Sequence, residues 1–237
     1  MNYHKLITLG SLVALTGYVA SGPLGFLMVQ VIHPQPAWST PATFAANYNL
    51  VQDIPYYFGF LLTGGMLMLV TAHYLNYDGN NAQTKFHLLV AFAWTVAFFT
   101  LVTFNYICQT TFVRHLALNY TPAYDNAIAT FSMVNPLSLC WANEIWGYAF
   151  LGVATGLMAG YYGRDRPAIR ALLVMNAVVS IGTVVFTIAD TQWLTTTVGL
   201  TAYFFWNILM IALMILVYRD ARVSGNHSVQ DKKFGGN

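Results

Sequence analysis

Three acidic residues hold positions where a carboxyl could do chemistry: Asp53, Glu144 and Asp190. Each lies within or at the end of a long apolar stretch. A charged side chain at the centre of a membrane helix costs about 2.5–3.5 kcal/mol on insertion scales, so such groups usually bind a ligand, carry a proton or serve as acid or base. Glu144 is the strongest of the three. Gly147, Tyr148, Leu151 and Gly152 follow it at helical spacings of three, four, seven and eight residues. The carboxyl therefore shares a face with small residues and should point into a helix bundle. The plainer alternative is a structural carboxyl hydrogen-bonded to Asn or Tyr.

Other polar residues fall at similar depth. Asn105, Cys108, Gln109 and Phe112 share one face of their segment, and Asn176, Ser180, Thr183, Thr187 and Asp190 share one face of another. The second stripe reads either as hydrogen-bonding glue between helices or as the wall of a hydrated cavity. Gln30, His33, Arg114, His115 and Gln192 lie near the ends of their segments on the same side, with Trp141, Trp146 and Trp193 at comparable depth. The expectation is an outward-facing polar pocket, centred on Glu144 and roofed by two long outer loops. Asp190, Asp53, Asn105, Gln109, Asn176, Tyr148, Trp141, Arg114, His33 and His115 are the candidate ligand- or proton-binding residues around it.

The elements that must position these groups follow from composition. Charged residues make up 8% of the 237, hydrophobic residues 57%, and mean hydropathy is +0.54. An ordinary soluble domain carries about 25% charge, so the chain reads as an all-α, multi-pass integral membrane protein. Six segments meet the requirement of about 20 apolar residues per crossing: 6–32, 53–75, 86–113, 137–162, 168–190 and 197–218. Together they form one transmembrane domain over 1–219, followed by a flexible tail over 220–237. Lys5, Lys85, Arg164, Arg166, Arg170, Arg219, Arg222, Lys232 and Lys233 fall on one side of this arrangement, and Arg114 alone on the other. The positive-inside rule then places both termini in the cytoplasm, and a bacterial inner membrane is the expected setting.

Gly152, Gly156 and Gly160 lie four apart on the fourth segment and permit close backbone approach. They suit packing inside the bundle, or else a contact with a second copy or a membrane-complex partner. The tandem Gly64-Gly65 reads as a packing notch. Cys108 and Cys140 lie near the same ends of their helices; they read as small buried hydrophobes, with a disulfide as the alternative.

Several functions are excluded or left without support. A net charge of +2 does not argue for nucleic acid. The last segment has no lysine for a retinal Schiff base, and there is no phosphate loop, dinucleotide fingerprint or HExxH. The histidines lack a diagnostic haem or metal spacing. A metal held by Asp53, Glu144, Asp190 and an outer histidine is chemically conceivable, since carboxylates and imidazole suit Zn, Mn or Fe. No cofactor is assigned. Three readings survive. The first is binding or transport of a small polar or amphiphilic molecule, or of protons. The others are an accessory subunit of a membrane complex, and an embedded enzyme that uses a carboxylate or metal on a lipid-like substrate.

Overall fold

A computed structural model describes residues 3–234. It is all-helical. In chain order the helices are α1 (Tyr3–Ser21), α2 (Pro23–Ile32), α3 (Pro41–Ala46), α4 (Ile54–Asn76), α5 (Ala82–Ile107), α6 (Arg114–Leu118), α7 (Asp125–Phe131), α8 (Leu139–Met158), α9 (Pro167–Ala189) and α10 (Thr197–Phe234). Local chemistry sets their ends. Proline occupies the first turn of α2, α3, α4 and α9, where the missing N–H has no intrahelical role. Asn81 caps α5 by accepting from the backbone N–H groups of Gln83 and Thr84, and Ser138 caps α8 by accepting from that of Trp141.

Among the described residues, five segments are long and apolar enough to cross a bilayer: Tyr3–Ile32, Leu50–Asn76, Ala82–Leu118, Pro167–Ala189 and Thr197–Gly225. Helix α8, which carries Asn143 and Glu144, packs among them against α5 and α9. The long helices form a closed ring in which α1 meets α4, α4 meets α5, α5 meets α8, α8 meets α9, α9 meets α10, and α10 returns to α1. Polarity is arranged as a membrane requires. Leu12, Phe86, Val178, Val185, Phe204 and Phe205 are exposed on the outside, whereas Ser11, Thr63, Thr95, Asn105, Asn176 and Asn207 are buried. With no water in the hydrocarbon layer, polar groups must find partners inside the protein.

Three details depart from a simple reading of the spans. The first apolar segment is interrupted at Gly22-Pro23, where Pro23 cannot continue the α1 hydrogen-bond ladder and begins α2. The segment after α5 passes through a π-helical turn, Cys108–Val113, before α6. Helix α10 continues beyond residue 219: Asp220 pairs with Arg166, and Ala221 is buried.

Residues 33–53 and 114–138 form a cap over one end of the ring. Phe44 from one segment packs with Leu116, Ala117 and Ile128 from the other, flanked by Trp38, Tyr48, Tyr120 and Tyr124. At the opposite end, buried His73 pairs through Nδ1 with the Leu69 carbonyl at 2.8 Å and through Nε2 with the Tyr162 hydroxyl at 2.5 Å.

The α1–α4 seam is the tightest. A methyl group on Gly65 would lie 2.4 Å from the Ala14 backbone nitrogen, and one on Gly17 would lie 2.3 Å from that of Leu62. Gly64 faces open space. Gly65→Val should therefore force the helices apart at a cost of at least about 1–3 kcal/mol. Gly64→Ala should be nearly neutral. Thermal unfolding of the two variants in detergent distinguishes them, and equal stability would contradict the seam.

Candidate functional site

The ring encloses a cavity of about 460 Å³. Residues from α1, α4, α5, α8, α9 and α10 all line it, and the cap supplies Phe44, Tyr48, Met133 and Val134. The lining is mainly aromatic and aliphatic, with a few polar groups set into it. The sequence leads to the expectation of a polar pocket; the space is instead a mainly apolar chamber with discrete polar points.

Glu144 is the central one. Its Oε1 accepts from the Tyr106 hydroxyl at 3.0 Å, and its Oε2 accepts from Asn105 Nδ2, also at 3.0 Å. Asn105 donates in addition to the Cys140 carbonyl at 2.9 Å, so one amide ties the α8 backbone and the carboxyl to α5. The Tyr106 and Tyr148 hydroxyls are 3.3 Å apart, and the Tyr148 ring meets Trp206 of α10 edge-on at 5.2 Å. The carboxyl is thus held by α5 and connected through aromatic rings to α10.

Asp53 forms a second polar point, under the cap. It is 2% exposed. The Tyr48 hydroxyl donates to its Oδ1 at 2.6 Å, while Oδ2 lies 3.8 Å from Arg114 Nη1 and has no hydrogen-bond partner. Burial, and then the hydrogen bond to Asp53, push the Tyr48 phenol well above its ordinary range, so it remains a donor. Arg114 also donates to the Tyr57 hydroxyl at 3.2 Å.

The other candidates divide by location. Gln109, Tyr148 and Trp141 line the cavity. Gln109 in addition fastens the cap: Nε2 donates to the Phe131 carbonyl at 2.8 Å, and Oε1 accepts from the Met133 N–H at 3.1 Å. Asn105 stands behind the wall, fully buried. Asn176 is glue. It donates to Thr155 Oγ1 at 2.8 Å, and its Oδ1 accepts from Trp206 Nε1 at 2.8 Å and Ser180 Oγ at 3.3 Å.

Asp190, His33, His115 and Gln30 are not brought to the cavity wall. Asp190 is exposed where α9 has already ended, and its Oδ1 accepts from the Gln192 N–H at 2.9 Å. His115 is exposed beside Asn119. The three acids do not converge, and no group of three or more His, Cys, Asp or Glu among the described residues could hold a metal ion. Cys108 and Cys140 are buried free thiols, so the alternative of a bridge is not what this structure contains. Gly152 and Gly156 pack within the chain, where added methyl groups would lie 2.6 Å from Ser180 Cβ and 3.0 Å from Ala177 Cβ of α9; around Gly160 the nearest atom is 3.9 Å away.

Sequence reasoning missed Tyr18, Tyr56, Tyr106 and Trp206, all of which line the cavity. Tyrosine and tryptophan are common wherever a membrane helix nears the interface, so their type alone gave no signal. For Tyr106 a signal was available, since it directly follows the buried Asn105 at the depth of Glu144. No family model, curated protein or solved structure matches the chain.

Gln109→Met should release the cap. It would leave the Phe131 carbonyl and the Met133 N–H without this partner, at about 1–3 kcal/mol. Hydrogen exchange over residues 129–135 should accelerate while α4 stays protected, and unchanged exchange would argue against the fastening role.

Proposed function

We propose that the protein binds a small amphiphilic molecule in the central cavity and carries it across the bilayer, with Glu144 as the polar anchor. One observation carries this reading: a chamber bounded by every long helix of the ring has the Glu144 carboxyl in its mainly apolar wall. Ligand sites combine an apolar lining with a few well-placed polar groups. Access from the bilayer suits an amphiphile. Phe26 of α2 and Leu200 and Tyr203 of α10 line the cavity and are exposed rather than packed in the core, which leaves the cavity open between α2 and α10.

We further infer six crossings, α8 included, with both termini cytoplasmic and the cap on the far side of a bacterial inner membrane. The basis is the concentration of Lys and Arg at the end opposite the cap. In a background with Cys108 and Cys140 replaced by alanine, Gly79→Cys should react with an impermeant thiol reagent only from the cytoplasmic side. Asn119→Cys should react only from the other. Labelling of both from one side would overturn the orientation.

Mass spectrometry of gently purified protein should detect a copurifying small amphiphile. Glu144→Gln should lower its occupancy by about tenfold or more, as loss of a charged hydrogen-bonding group implies, while cooperative thermal unfolding persists. Equal occupancy in wild type and variant, or no bound molecule in either, would overturn the assignment.

A further inference from the structure

We propose that the occupant of the cavity is a monovalent organic cation with an apolar body, a protonated amine in chemical terms, and that Glu144 is its counter-charge. This rests on the reading of the cavity as a ligand site.

The distribution of charge is the first argument. Asp53 and Glu144 are the two acids in the lining, and among the described residues no Lys, Arg or His lines the cavity. Arg114 stands 3.8 Å from Asp53 and so balances that acid. Glu144 has hydrogen-bond partners, Asn105 and Tyr106, but both are neutral. The ionised form of a carboxyl in low-dielectric surroundings needs a positive partner, and here the cavity is the place from which one can come. An anionic ligand would meet two acids and is disfavoured. A neutral one would supply no counter-charge to the ionised form of Glu144.

The walls give the second argument. Tyr18, Tyr56, Tyr106, Trp141, Tyr148 and Trp206 present aromatic surface to the cavity, and aromatic faces attract ammonium groups. The third is a pair of unused polar atoms. Tyr18 is among the residues that line the cavity, its side chain is only 1% exposed, and its buried hydroxyl has no hydrogen-bond partner. Its oxygen can accept from an ammonium N–H. Trp141, also in the lining, has a buried Nε1–H, a donor only, that is likewise unpartnered. A space of about 460 Å³ is far larger than a bare ammonium and calls for an apolar body to fill it.

Three probes of one shape separate charge from shape: 1-naphthylmethylammonium, 1-naphthylmethanol and 1-naphthoate. Binding is read from quenching of tryptophan fluorescence in phosphatidylcholine nanodiscs, with empty discs subtracted. The ammonium should bind saturably and about tenfold or more tighter than the alcohol, and the naphthoate should not bind saturably. Glu144→Gln should bring the ammonium down to the affinity of the alcohol and leave the alcohol unchanged. Equal binding of ammonium and alcohol, or a Glu144→Gln variant that weakens both alike, would overturn the cation while leaving the cavity as a ligand site. Absence of saturable binding by all three probes would overturn both. If Glu144→Gln does not fold, the comparison of the three probes on the wild-type protein decides alone.

Discussion

The clamp on Glu144 is the contact on which the centre of the molecule depends. A carboxyl on α8 would be expensive to bury alone, and the cost is offset by two donors from adjacent positions on α5, the Asn105 amide and the Tyr106 hydroxyl. Consecutive residues on a helix point about 100° apart. One turn of α5 can therefore place a hydrogen-bonded amide behind the cavity wall and a tyrosine in it, both on the same carboxyl. The arrangement fixes the rotation of α5 and α8 about their axes. Through Tyr148 and Trp206 it also bears on α10, since the Trp206 indole that meets the Tyr148 ring donates its N–H to Asn176 of α9. Four helices are thus set in register by one polar chain.

The α1–α4 seam and the cap are built by different physics. At the α1–α4 seam there is almost no side-chain layer: Gly17 and Gly65 let the backbones approach, which is how helices pack where lipid is as apolar as leucine and the hydrophobic effect offers little. The cap is the reverse. It has its own small apolar core around Phe44, Leu116 and Ile128, and it is fastened to the ring by Gln109. The π-helical turn that follows α5 contains Gln109, and such insertions recur at functional positions. A cap held on Gln109, the Arg114–Tyr57 contact and a local core is a unit that can loosen without disturbing the seam.

How much of this was legible in the sequence depended on the energetic cost of each residue. Glu144 was readable because a carboxyl in an apolar segment demands a reason. Four-residue glycine spacing marks Gly152 and Gly156 as points of close approach, and α9 lies against both. Asp190 was read with the same logic and landed elsewhere. The helical period was extended one residue too far: α9 ends at Ala189, and the aspartate turns back to its own loop. The kink at Gly22-Pro23 was written in the chain but outweighed by the continuous apolar run on either side. The aromatic wall was not legible, since tyrosine costs little at many membrane depths and only the ring closure of α10 onto α1 brings Tyr18 and Trp206 together, at 5.7 Å between ring centroids.

That ring closure also explains why the cavity exists. Six helices in a ring leave a central space wider than side chains of ordinary size can fill, and a dry void of that kind forfeits dispersion contacts along its whole lining. Packing could have closed it with larger residues. Instead Ser180 and Ala202 line it as small side chains, along with Tyr18 and Trp141, whose buried hydroxyl and indole N–H have no partner. Small residues next to unsatisfied polar atoms are a poor solution for stability alone. They become a coherent one when the missing volume and the missing hydrogen bonds are supplied together by a single guest.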